Sequence, residues 1–239
     1  MSFFVLDFDK CNQKCLFCMK ASDMQNRQPL TYNLAAEKII HARGVGYESV
    51  DFFGGEPTCF PFLKRAIRLA NKLDMTVILA TNAVKFSSRS YTDNFFAGIN
   101  IRGIRTSLHS YRPEVHDAIT GKRGNFHKTV KGARNILLYN KKLFVNVVIN
   151  AMNYKDIIAM PDYIHGLGAC GIKFSGLMLC GRALTNKWLF IDPSVYLHDL
   201  LRALRRAKRL GFHYIEVEKF PSSIFDSKRM GFVKFLDRR

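Results

Sequence analysis

The chain has 239 residues, 48% of them hydrophobic and 20 of them Phe, enough to bury one sizeable core. Its formal net charge of +18 is uneven: residues 1–100 carry 12 Lys/Arg against 9 Asp/Glu, and residues 101–239 carry 25 against 10. No apolar run reaches the roughly 20 residues of a membrane span, and the N-terminus lacks the basic, apolar and cleavage-site order of a secretory signal, so a cytoplasmic protein with no membrane partner is expected.

The first expected element is a strand, Phe3 to Phe8, an aromatic and apolar run. It leads into Cys11, Cys15 and Cys18, spaced Cys-x3-Cys-x2-Cys. Three thiolates on one short loop can ligate three irons of a [4Fe-4S] cube and leave the fourth iron open to a small molecule. The competing reading, a structural zinc site, needs a fourth ligand from Cys59 or a histidine. Cys59, Cys170 and Cys180 stand singly and read as thiols that fill space as small hydrophobes. One cluster in a reducing compartment is therefore expected, in place of a disulfide framework.

Further along, short β-branched and aromatic runs alternate with segments of helical period. Strands are expected at Ser49 to Phe53, Met75 to Ala80, Gly103 to Leu108, Leu143 to Asn150 and Gly171 to Leu179. Helices are expected near Leu34 to Arg43, Phe60 to Leu73, Ser90 to Phe96, Asn125 to Tyr139 and Lys155 to Leu167, the last broken or kinked at Pro161. Six strands alternating with helices imply a parallel sheet with right-handed crossovers, and Val145 to Asn150 reads as apolar on both faces. After residue 183 come an amphipathic helix, Val195 to Leu210, and a strand, Tyr214 to Val217, before Phe220 and Pro221. The helix has Leu197, Leu200, Leu201 and Leu204 on one face, and Arg202, Arg205, Arg206 and Arg209 on a solvated basic one.

Polar and glycine-rich groups fall at the carboxyl ends of these strands, where parallel α/β sheets bind ligands. They are Gly54, Gly55, Glu56 and Pro57 after the second strand, Thr81 and Asn82 after the third, and Ser107, Leu108 and His109 after the fourth. Asn150 follows the fifth strand and Gly181 the sixth. Glycines admit a close backbone approach, and a carboxylate beside main-chain groups suits a cationic amine. Each pair is otherwise an ordinary turn former.

The cysteine triplet with Phe17 before its third member, followed by Gly54-Gly55-Glu56-Pro57, resembles the signature of the radical S-adenosylmethionine (radical SAM) superfamily. The resemblance covers residues 3–183 and implies an α/β fold, a partial (β/α)6 parallel barrel of radical SAM type with a short C-terminal helical and strand extension. It divides the chain into a core, 1–183, and an extension, 184–239, packed on the core. It implies two cofactors, a [4Fe-4S] cluster on Cys11, Cys15 and Cys18, and SAM. Phe17 would lie near the adenine, and Gly54, Gly55 and Glu56 would hold the methionine amino group. Ser107 would contact the ribose or the carboxylate, Thr81 and Asn82 would stand where relatives have Thr-Asn-Gly, Asn150 would face the ribose, and Gly181 would frame the adenine. The stretch from His116 to Phe126 is similar to one in SAM-dependent peptide maturases; Thr120 replaces the usual Arg, which leaves Arg123, with Lys122 or Arg134, for the SAM carboxylate.

The resemblance implies an oxidoreductase in which an electron from an external donor, such as flavodoxin or ferredoxin, cleaves SAM to a 5'-deoxyadenosyl radical. A peptide or small natural-product precursor is the substrate expected from the maturase likeness. The basic half keeps RNA or a nucleotide as an alternative, and a non-enzymatic cluster- or zinc-bearing nucleic-acid-binding module is the competitor from another class. No catalytic acid or base is named.

Overall fold

The structure, a computed structural model, describes residues 3–20, 29–220 and 231–236. Its elements in chain order are β1 (Phe3–Phe8), α1 (Tyr32–Gly44), β2 (Ser49–Gly54), α2 (Leu63–Lys72), β3 (Thr76–Thr81), α3 (Arg89–Phe96), β4 (Gly103–Ser107) and α4 (Pro113–Thr120). There follow α5 (Asn125–Leu137), β5 (Lys142–Ile149), α6 (Met160–Leu167), β6 (Gly171–Gly176), α7 (Pro193–Arg209), β7 (Tyr214–Glu218) and β8 (Lys234–Leu236). They form two compact units: the first gathers the described parts of 1–13, 20–106 and 128–142, the second those of 14–19, 107–127 and 143–239.

In the first unit the strands pair in chain order and in parallel, with Phe8 beside Gly54, Ser49 beside Thr76 and Ile78 beside Gly103. Parallel neighbours need a crossover, and α1, α2 and α3 supply it. The entry to α1 is set by Thr31, whose hydroxyl accepts from the Leu34 N–H at 3.2 Å. Leu6, Phe8, Ile39, Val50, Phe52, Ile67 and Leu79 are buried in the core of this unit.

In the second unit β5, β6, β7 and β8 are likewise parallel, with Val148 beside Ser175, Ser175 beside Glu218 and Glu216 beside Lys234. α7 begins at Asp192, whose carboxylate accepts from the Ser194 N–H at 2.8 Å, with Pro193 in its first turn. It buries Tyr196, Leu200, Ala203, Leu204 and Ala207. The basic face is solvated as expected at Arg202, Arg205 and Arg209, whereas Arg206 reaches Asp162 of α6 at 3.0 Å. Burying each leucine contributes roughly 2 kcal/mol, against under about 1 kcal/mol for an exposed ion pair, so apolar packing holds this helix.

Several expectations are corrected. β5 is not apolar on both faces: it buries Leu143, Val145, Val147 and Ile149, while Phe144, Asn146 and Val148 alternate with them half-buried. β2, by contrast, buries Ser49 to Phe52 without a break. Pro161 does not interrupt a helix from Lys155; it stands in the first turn of α6, where its missing N–H costs nothing. α4 occupies a stretch for which no helix was expected, begun by Pro113 and ended by Gly121 in the left-handed conformation, φ 69°. β6 stops at Gly176, three residues before the expected end, and β8, three residues long, is too short to show a period. Pro221 lies outside the described residues, and no helix among those described is long and apolar enough to cross a membrane.

Candidate functional site

The first unit grips the chain just ahead of Cys11. The Gly55 N–H donates to the Phe8 carbonyl at 2.8 Å and the Glu56 N–H to the Lys10 carbonyl at 2.6 Å. Gly54 has φ 119°, and a Cβ there would lie 2.4 Å from the Phe8 nitrogen; a Cβ on Gly55 would lie 2.3 Å from the Lys10 oxygen. The close approach that these glycines permit is therefore taken by the backbone leading to the first cysteine.

Glu56 is buried, and its carboxylate is spent within the protein. Oε1 accepts from the Thr58 N–H at 3.0 Å, the Thr58 hydroxyl at 2.6 Å and the Thr81 hydroxyl at 2.7 Å; Oε2 accepts from the Asn82 N–H at 2.6 Å. Burial pushes its carboxyl pKa up, and the four hydrogen bonds pull against that shift. Asn82 in turn donates from Nδ2 to Asn12 Oδ1 at 2.6 Å, so the Thr81 and Asn82 pair fixes the residue after Cys11. Ala83, at the position of the glycine in Thr-Asn-Gly, adopts φ 60°, a conformation that costs a non-glycine residue about 1 kcal/mol.

The second unit grips residues 14–18. Lys14 and Leu16 donate their N–H groups to the carbonyls of Thr120 at 3.0 Å and Ile119 at 2.9 Å. Gly121, just after, would place a Cβ 2.6 Å from the Lys14 oxygen. From the turn after β6, the Arg182 guanidinium donates to the Cys15 carbonyl at 2.7 Å, and the Arg182 N–H to the Cys18 carbonyl at 2.9 Å. Asn186 Nδ2 donates to the Leu16 carbonyl at 3.1 Å. Gly181 has φ 55°, and a Cβ there would lie 2.4 Å from the Cys18 oxygen, so its close approach also serves the cysteine loop.

Phe17 meets His109 edge to face, with centroids 5.0 Å apart and planes at 90°. His109 Nδ1 accepts from the Val148 N–H at 3.3 Å, and His116 Nδ1 accepts from the His109 N–H at 3.2 Å. The proton of each neutral ring is thus on Nε2; that of His116 is buried without a partner among the described residues. Burial drives both pKa values down, that of His116 to about 4. Both rings are uncharged at neutral pH.

The remaining expected residues divide. Cys11 is exposed and Cys15 and Cys18 are half-buried; the Cys11 sulfur accepts from the Gln13 N–H at 3.4 Å. Among the described residues no three His, Cys, Asp or Glu side chains are gathered as a metal-holding group. Ser107 ends β4 half-buried. Arg123 is exposed and makes no hydrogen bond with the described residues. Asn150 is buried, its amide used by the 148–152 turn through Val148 O at 3.2 Å and Met152 N at 2.9 Å. Burial pushes the Cys59 thiol pKa up, which disfavours the thiolate that a metal needs. The sequence reading missed Arg182, Asn186 and the roles of His109 and Gly121; only the helix-ending glycine carried a local signal.

One face of β5, β6 and β7 carries a polar network. Lys173 donates to Glu218 at 2.7 Å, and Ser175 donates to Asn146 at 2.8 Å and lies 3.4 Å from the same Glu218 oxygen.

Residues 5–164 match the family model of the radical SAM superfamily. The chain belongs to the radical SAM superfamily. It is 26% identical over 200 residues to a PqqA peptide cyclase of Streptomyces rochei, a match covering 83% of this chain and 54% of that protein. It is 27% identical over 190 residues to a GTP 3',8-cyclase of Aquifex aeolicus, covering 76% and 57%. The crystal structure of Streptococcus suis SuiB bound to S-adenosylmethionine superposes with a TM-score of 0.66 at 20% identity, covering 98% of this chain and 49% of that one. That likeness shows the fold, the unclosed parallel α/β barrel of the superfamily. The chain spans about half the length of the curated relatives that it matches.

Radical SAM proteins are enzymes that use a [4Fe-4S] cluster and S-adenosylmethionine. The residues present fit that requirement: three thiols lie on one short stretch, glycine surfaces at 121 and 181 receive its backbone and those at 54 and 55 the backbone leading into it, and the neutral His109 ring stands against Phe17.

Proposed function

We propose that this protein is a radical SAM enzyme acting on a peptide or small natural-product precursor. The observation that supports the reading best is that the backbone around the three cysteines is pinned, carbonyl by carbonyl, by residues far away in sequence. Such pinning suits a preorganised ligand loop. Cys11, Cys15 and Cys18 hold the cluster, and Phe17, steadied by His109, offers an apolar surface to the adenine. A [4Fe-4S] cluster and SAM held there would supply one-electron reductive cleavage of the sulfonium, with the electron from an external donor, for removal of a hydrogen atom from the substrate.

This chain's own residues bind, orient and exclude water. Gly54 and Gly55 would meet the SAM amino group through main-chain carbonyls, since the N–H groups of Gly55 and Glu56 are held by Phe8 and Lys10; the hydroxyl of Ser107 and the exposed Arg123 would serve the rest of SAM, Arg123 its carboxylate. The Glu56 side chain acts as a brace, since both its oxygens are occupied within the protein. The network of Asn146, Lys173, Ser175 and Glu218 favours a polar substrate. Residues 1–183 form the core in this reading, and 184–239 the extension.

The test is anaerobic reconstitution with iron and sulfide, then SAM and dithionite, with 5'-deoxyadenosine read by mass spectrometry. The product is expected from the native protein and not from Cys15→Ala; its absence from both overturns the reading. A nucleotide substrate is the second reading, favoured by the likeness to a GTP 3',8-cyclase and the excess of 25 Lys/Arg over 10 Asp/Glu in residues 101–239. It predicts GTP binding that weakens steeply with salt.

A further inference from the structure

Arg182 stands in the turn Gly181–Leu184 that follows β6, and it belongs to no motif described above. Its guanidinium and its own N–H reach two carbonyls of the cysteine loop, those of Cys15 at 2.7 Å and Cys18 at 2.9 Å. Asn186, four residues on, takes the carbonyl of Leu16 at 3.1 Å. Across the loop, Ile119 and Thr120 accept from Leu16 and Lys14, so the loop backbone is clamped from two sides. A side chain at residue 181 would close the gap through which this turn reaches the loop. Among the described residues Arg182 is half-buried and has no carboxylate partner, so its positive charge is not neutralised by a neighbour.

We infer that Arg182 is the positioning residue of the cysteine loop. It sets the backbone of Cys15 and Cys18 before metal arrives, and it places a fixed positive charge beside the cluster. The inference rests on the proposal that these cysteines ligate a cluster. A cube held by three thiolates is anionic and becomes more so on reduction, so a neighbouring guanidinium favours the reduced form and raises the potential. Arg suits the position because its planar fork keeps its charge and direction. Lys would keep the charge and lose the fork.

The experiment compares the native protein with Arg182→Gln and Arg182→Lys, first metal-free and then reconstituted anaerobically. In the metal-free proteins, amide hydrogen exchange of Leu16 to Met19 is expected to quicken about tenfold in Arg182→Gln, as when one charge-assisted hydrogen bond is lost. Exchange in β2 and α7 should not change. After reconstitution, Arg182→Gln should lose iron several-fold faster on dilution and show a lower midpoint potential in an EPR-monitored titration. Arg182→Lys should restore the potential and only part of the exchange protection. Unchanged loop exchange in Arg182→Gln, or full protection in Arg182→Lys, overturns the inference. If Arg182→Gln quickens exchange everywhere, Arg182→Lys alone decides by the same measures. Should the native protein take up no iron, the cluster reading fails, while the exchange measurement still decides whether Arg182 holds the loop.

Discussion

The two grips on the cysteine stretch are built from different materials. Ahead of Cys11, the first unit uses contiguous residues: Gly54, Gly55 and Glu56 meet Phe8 and Lys10 across neighbouring strands, and one buried carboxylate ties them to Thr81 and Asn82. Over residues 14–18 the second unit uses scattered ones, His109, Ile119, Thr120, Arg182 and Asn186, drawn from three separate stretches of chain. Contact between sequence-adjacent strands can be written as a short motif. Contact among distant turns cannot.

The largest expected effect strikes the first grip. Gly54→Ala forces a side chain onto the Phe8 nitrogen at a φ of 119°, so it should cost about 4 kcal/mol from crowding plus backbone strain. Urea denaturation and iron content after reconstitution check this; a stable variant with full iron would show that residues 7–10 can give way.

Acid separates the two grips. His116 titrates at about 4 in the fold, against 6.5 ordinarily. Between those pH values the unfolded chain binds the proton and the folded one does not. Stability should therefore fall by roughly 3 kcal/mol as pH drops from 6.5 to 4. Glu56 shifts the opposite way, its carboxyl raised by burial, so its contribution is present in acid and lost as pH rises through its folded pKa. Denaturation curves at pH 7 and 5, repeated in His116→Phe, test the assignment, which fails if the variant retains the full acid sensitivity.

A smaller loss is expected from Glu56→Gln. The amide must turn one N–H2 toward a Thr or Asn donor, leaving a buried donor facing a donor at a cost of about 2 kcal/mol. The readout is thermal unfolding, with Thr81→Val as a second route to the same brace. Arg123→Ala lies at the other extreme, exposed and outside both grips. Its stability should stay within about 0.5 kcal/mol of the native protein, whereas its KM for SAM should rise roughly tenfold if it pairs with the carboxylate. An unchanged KM would remove Arg123 from the site.

The strands and most helices were legible because their periods are local. β1, β2 and β5 begin and end within a residue of where the apolar runs place them. α6 was misread because Pro161 suits a first turn as well as it breaks a helix interior, and the bonds of the turn ahead of it, such as Asn153 Nδ2 to the His109 carbonyl at 2.6 Å, join residues far apart in sequence. Asn150 was legible as polar, yet its neighbours decide that its amide closes a turn.

By itself the sequence determined which candidate ligands stand close together, because thiols at a fixed spacing, a Gly-Gly-Glu-Pro turn and alternating apolar runs are properties of adjacent residues. Only the tertiary structure decided what the glycines and Glu56 are for. Whether space beside a glycine belongs to a ligand or to another stretch of backbone depends on which segment folds against it. At 54, 55, 121 and 181 that segment is the cysteine stretch or the chain leading into it. The same holds for Arg182, one arginine among many until the fold sets it against Cys15.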